Sequence, residues 1–163
     1  MARVFVTGSS DELGQMAAQL LLDLGHQVVL HARNEQRAKD ALRAVPRAAA
    51  VVIGDLASIA QTKRVAGQVN RISVFDAVIH NAAVGYREPK QLVTEDGLPH
   101  VFATNTLAPY ILTALIQRPK RLVYLSSGLH RSGDITLDDL AWERRPWSRI
   151  AQGGKSQPAL RFN

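Results

Sequence analysis

The chain has 163 residues, 46% hydrophobic and 21% charged, with a formal net charge of +6 and no cysteine. This is the make-up of one globular domain; it excludes disulfide frameworks and thiolate metal sites, and no apolar run approaches the roughly 20 residues that cross a bilayer. The positive charge does not point to nucleic acid, because it collects near the end as Arg144, Arg145, Arg149, Lys155 and Arg161 against Glu143 alone, with no basic helix interleaved with aromatics. A cytoplasmic protein without a signal peptide is expected, since the N-terminus runs straight into an apolar strand.

In chain order, Arg3 to Val6 is a short β-branched and aromatic strand. It breaks at Thr7-Gly8-Ser9-Ser10-Asp11-Glu12-Leu13-Gly14. Leu13, Met16, Ala17, Leu20, Leu21 and Leu24 then recur at helical spacing and predict a helix with those residues on its buried face. Gly25 closes it. Gln27 to His31 reads as a second strand, and Asn34 as the N-cap of a helix reaching about Ala44. Ala49 to Ile53 is a third strand, Ser58 to Val69 a third helix and Val74 to His80 a fourth strand. Asn81 to Gly85 is a loop of small residues. A helix from about Pro99 to Gln117 and a fifth strand at Arg121 to Ser126 follow.

Strands alternating with helices predict an α/β fold of Rossmann type: a doubly wound parallel sheet of about five strands in the order 3-2-1-4-5. Its ligand is expected at the switch between strands one and four. Strand, small-residue turn and helix aim free backbone N–H groups at a phosphate, and a dinucleotide is the expected guest. The plainer reading is a turn that uses Gly8 for its positive φ. Glu12 stands at the tightest point of that turn, where a carboxylate would face a phosphate in a partly desolvated site.

Together these residues resemble the short-chain dehydrogenase/reductase family, in a branch similar to the retinol-dehydrogenase-like enzymes, over about residues 1 to 147. Thr7, Gly8 and Gly14 match the family's T-G-x-x-x-G-x-G, with Glu12 in place of the middle glycine. Asp55-Leu56 match the acidic position after strand three, whose carboxylate in the family meets the adenine. Asn81-Ala82-Ala83 resemble N-A-G. Asn105 resembles the helix asparagine of the catalytic tetrad, and Ser127, after Ser126, its serine. The resemblance implies Ser127 and Asn105 as catalytic residues. It implies Gly8, Ser10, Asp11, Leu13, Gly14, Arg33, Asp55, Leu56, Asn81, Ala82 and Ala83 as the cofactor contacts, and a small carbonyl or alcohol as substrate. Singly, each has a plainer reading: Asp55 as a helix cap, Asn105 as helix surface, Ser127 as a turn serine. NADP is preferred over NAD, because strand two ends in His31-Ala32-Arg33-Asn34 with no acid to bind a ribose hydroxyl, while Arg33 suits a phosphate. The alternative for Arg33 is a solvated cation at a helix start.

In the family a tyrosine exchanges the proton and a lysine four residues later lowers its pKa; a bare phenol titrates near 10, far from working pH. Here Tyr86, Tyr110 and Tyr124 all precede Ser127, no Y-x-x-x-K follows, and Lys155 has Ala151 four residues before it. From Arg149 the text loses the family pattern, so an interruption near Ser148 is expected, with residues 148–163 an irregular basic tail. Trp142 and Trp147 read as packing residues. Three functions follow as alternatives: an NADP-dependent oxidoreductase, a non-catalytic NADP-binding module, and an interaction partner that pairs or self-associates through the edge of strand five. The expectation is family membership with turnover impaired or absent.

Overall fold

The computed structural model describes residues 1–85, 88, 90–128, 139 and 144. Trp142, Trp147, Lys155, Tyr86 and the tail 148–163 lie outside the described residues. Five parallel strands, β1 (Arg3–Val6), β2 (Gln27–Ala32), β3 (Ala50–Ile53), β4 (Ala77–His80) and β5 (Arg121–Tyr124), form one sheet in the order β3-β2-β1-β4-β5. The expected order therefore holds. β-Branched runs such as Gln27–Ala32 form the central strands because both faces are covered, which favours continuous apolar sequence over alternation.

The helices are α1 (Glu12–Asp23), α2 (Glu35–Ala44), α3 (Ile59–Ile72), α4 (His100–Phe102) and α5 (Ala108–Leu115). Asn34 caps α2 by accepting the Arg37 N–H at 2.9 Å, and Ser58 caps α3 through the Gln61 N–H. On one face Val4, Val6, Val28 and Leu30 pack with Ala18, Leu22 and Ala41 of α1 and α2. On the other, Phe5, Val29 and Val78 pack with Val65 and Val69 of α3 and Ala108 and Leu112 of α5. Burial of these side chains, about 1.5–3 kcal/mol for each large one, holds the layers together.

Three expectations need correction. The helix expected unbroken from Pro99 to Gln117 runs from α4 through a π-helical turn, Ala103–Leu107, into α5. The fourth strand begins at Ala77, not Val74, and Val74 is exposed. The third correction concerns α1, whose helical period was legible but whose buried face was not. Gly14, Ala18 and Leu22 face the sheet, while Leu13, Met16, Leu20 and Leu24 are each more than 60% exposed. The cause is distance: a Cβ on Gly14 would lie 2.2 Å from the Gly8 carbonyl oxygen, so only the small-residue face fits against the turn. Asp11 and Asp23, at the two ends of α1, pair with Arg37 and Arg47 of the α2 side.

Candidate functional site

The site grows from the knots that tie β1 to β4. Thr7 is buried, and its Oγ1 accepts the N–H groups of Asn81 at 3.0 Å and Ala82 at 3.1 Å. The Asn81 side chain returns the link, its Nδ2 donating to the carbonyls of Thr7 and Gly8, both at 3.0 Å. Gly8 has φ +61°, and a Cβ there would lie 2.7 Å from the Ala82 Cα. The turn requires glycine at position 8 for conformation and for space.

Above these knots, at the C-terminal ends of β1, β2 and β4, lies a crevice of about 370 Å³. This is where an open doubly wound sheet binds its ligands. Gly8, Ser10, Asp11, Leu13, Gly14, Arg33, Asp55, Leu56, Asn81, Ala82 and Ala83 all line it, so all eleven sequence-nominated cofactor residues converge on one cavity. The two nominated catalytic residues do not join them. Asn105 sits in the π-helical turn with its amide on the Val84 backbone, accepting the N–H at 2.8 Å and donating to the carbonyl at 2.9 Å. At the end of β5 it is Ser126, not Ser127, that lines the crevice.

The residues present suit a dinucleotide. Asp11 is the N-cap residue of α1 but makes no side-chain cap bond; its carboxylate is engaged with Arg37 at 2.9 Å. The first-turn N–H groups of α1 are therefore left without a capping oxygen, at the positive end of the helix dipole. Glu12 opposes this. It lines the crevice and has φ +46°, the one non-glycine among the described residues with positive φ. Asp55 divides its functions: Oδ1 accepts the Ala57 N–H at 2.9 Å, closing its own turn, and the residue also forms crevice wall. The plainer reading of Asp55 as a helix cap does not hold: Ser58 caps α3, and Asp55 closes the turn before it.

Several lining residues carried no signal in the sequence. His31 reaches the crevice from the end of β2 with a ring 3% exposed. His100 and Thr104 enter from α4 and the π-helical turn. His100 Nδ1 meets Glu88 Oε1 at 2.6 Å, and the Thr104 hydroxyl is buried with no hydrogen-bond partner among the described residues. No described tyrosine lines the crevice. Tyr110 is exposed on α5. The Tyr124 hydroxyl is 2.6 Å from Thr113 Oγ1, and its ring stacks on His80 with centroids 4.8 Å apart.

Comparison with known proteins matches residues 2–125 to the family model described as short chain dehydrogenase. An oxidoreductase of uncharacterised function from Emericella nidulans is 54% identical over 142 residues, covering 86% of this chain and 56% of its own length. A short-chain dehydrogenase of Penicillium rubens is 42% identical, covering 89% of this chain and 55% of its own length. Retinol dehydrogenase 13 of Mus musculus is more distant at 31%, covering 96% and 50%. Among solved structures, a protein of uncharacterised function from Mycobacterium paratuberculosis superposes with a TM-score of 0.81 at 29% identity, over 96% of this chain and 57% of that one. A Shigella flexneri protein described as a short chain dehydrogenase complexed with NADP superposes with a TM-score of 0.66 at 22% identity, over 95% and 65%. The chain spans about half the length of the relatives it matches.

Proposed function

Since the chain belongs to the short-chain dehydrogenase family, we propose that its crevice holds NADP while hydride transfer to or from a small carbonyl or alcohol is impaired or absent in these 163 residues. One observation carries this: eleven nominated contacts line a single cavity, yet no described tyrosine reaches it. The nicotinamide of a bound dinucleotide supplies or accepts the hydride. The chain's own residues would do the rest. The first turn of α1 and the Gly8 backbone would face the pyrophosphate, and Asp55 and Leu56 would wall the far end. Four hydrogen bonds tie Thr7 and Gly8 to Asn81 and Ala82, which lowers the ordering cost of binding.

NADP is favoured over NAD by the cations at the end of β2. Arg33 and Arg37 both line the crevice, and Arg37 is neutralised by Asp11, which leaves Arg33 as the phosphate partner. Among the described residues no tyrosine lines the crevice; His100, paired with Glu88, Thr104 and Ser126 are the proton-bearing side chains on that wall. Fluorescence titration with NADPH, beside a turnover assay on aldehydes and ketones, tests both halves.

Self-association is the alternative that a specific observation favours. Among the described strands β5 pairs only with β4, and its Val123 is 37% exposed. An unpaired parallel edge of this kind is a template for a second chain.

A further inference from the structure

We propose that His31 is a positioning residue, a clamp that joins the glycine turn to the end of β3 and sets the spacing of the two crevice walls that a dinucleotide would touch. This rests on the NADP-holding reading above. The ring spans two backbones. Its Nδ1 accepts the Gly8 N–H at 3.0 Å, and its Nε2 donates to the Gly54 carbonyl at 2.9 Å. Gly8 is the bend facing the expected pyrophosphate, and Gly54 immediately precedes Asp55 on the opposite wall. The backbone of His31 adds to the grip: its N–H donates to Ser9 Oγ at 2.8 Å, and its carbonyl accepts the Ser9 N–H at 3.2 Å. Ser9 Oγ in turn donates to the Val6 carbonyl at 2.9 Å.

These partners dictate the chemistry of the ring. A backbone N–H only donates and a carbonyl only accepts, so the imidazole must be neutral, with its proton on Nε2. A second proton on Nδ1 would set N–H against N–H at Gly8 and release the turn. Burial favours the neutral ring, while the Gly54 carbonyl and the Asp55 charge pull the other way. The other charged or titratable groups on the same crevice are Asp11 and Glu12 of the turn, Arg33 and Arg37 beyond β2, and His100 of α4, paired with Glu88. No side chain but histidine has an acceptor and a donor on opposite edges of a flat ring of this size, so the clamp has no simple substitute.

The test combines a variant with two measurements on the unaltered chain. For His31→Leu, the clamp predicts that Gly8 amide hydrogen exchange quickens, and that the Kd for NADPH rises, each by about tenfold or more. In the wild-type chain, imidazole nitrogen NMR at pH 7.5 should show the Nε2–H tautomer. Affinity for ADP-ribose, which lacks the 2′-phosphate, should fall as the pH drops through the titration of this ring. A folded His31→Leu chain with unchanged Gly8 exchange and unchanged affinity would overturn the clamp, as would an Nδ1–H tautomer in the wild type. If the variant does not fold, the tautomer and the ADP-ribose pH profile decide. If the wild type binds neither NADPH nor ADP-ribose, the functional reading fails while the tautomer and the Gly8 exchange still decide the clamp.

Discussion

Asn105 grips Val84 by both ends of its amide, accepting the Val84 N–H at 2.8 Å and donating to its carbonyl at 2.9 Å. Asn105 makes this grip from within the π-helical turn Ala103–Leu107, an irregularity frequent at functional sites. The grip fixes the segment that follows Asn81–Ala83, and so one wall of the crevice.

Removing the grip is therefore expected to cost both stability and affinity. Asn105→Ala leaves two backbone groups unpaired, at about 1 kcal/mol each. Urea unfolding should show a loss of about 2 kcal/mol with an unchanged m-value, and the Kd for NADPH should rise. Asn105→Asp keeps the acceptor for the Val84 N–H and should fall between the two.

Glu12 offers a substitution that improves binding. Its backbone has φ +46°, a conformation that costs a non-glycine residue about 1–2 kcal/mol, and it puts an acid on the wall of the crevice where the phosphates are expected. Glu12→Gly relieves both. The gain in apo stability is offset by losing a favourable charge at the N-terminus of α1, worth about 0.3–1 kcal/mol. The expected result is a melting temperature changed little and an NADPH affinity raised about tenfold, near 1.4 kcal/mol, by titration calorimetry.

Acid should destabilise the fold through His80. Its ring is 4% exposed, and burial depresses its pKa from 6.5 to about 4. The unfolded chain therefore binds the proton more readily than the folded one. The resulting stability is fully present above about pH 6.5 and lost as the pH falls toward 4. Between pH 7.5 and pH 5 the loss is about 2 kcal/mol, and His31 contributes in the same direction. Urea midpoints across this range measure it. In His80→Gln the slope of stability against pH should flatten.

A charge on the open edge should weaken self-association. Val123→Lys places an ammonium on β5 where another strand would pair. Sedimentation should show less dimer than in the wild type, with the stability of the monomer altered by no more than about 0.5 kcal/mol.

The sheet order and the crevice were legible because both follow from alternating periodicity and from a few small residues at strand ends. Gly8, Gly14 and Asn81 are visible to a reader of sequence since backbone approach demands them. The face of α1 was not, because Leu13, Met16, Leu20 and Leu24 form the more conspicuous apolar stripe, while the close approach of Gly14 to Gly8 turns the Gly14, Ala18 and Leu22 face to the sheet. His31 escaped notice for a different reason. A histidine between two apolar residues of a strand reads as core, and only three dimensions bring Gly8 and Gly54 to opposite edges of its ring. Ser126 lines the crevice and Ser127 does not, a distinction that two adjacent serines in a sequence do not carry.

The proposal that this chain holds a dinucleotide without turning it over has a direct test. The most direct measurement titrates the purified 163-residue chain with NADPH by fluorescence, then adds a panel of aldehydes and ketones and follows absorbance of the reduced nicotinamide. Saturable quenching in the micromolar range with no consumption of NADPH above the protein-free control is the expected result. Sustained NADPH oxidation that scales with chain concentration would contradict the claim, and so would the absence of any quenching at millimolar NADPH.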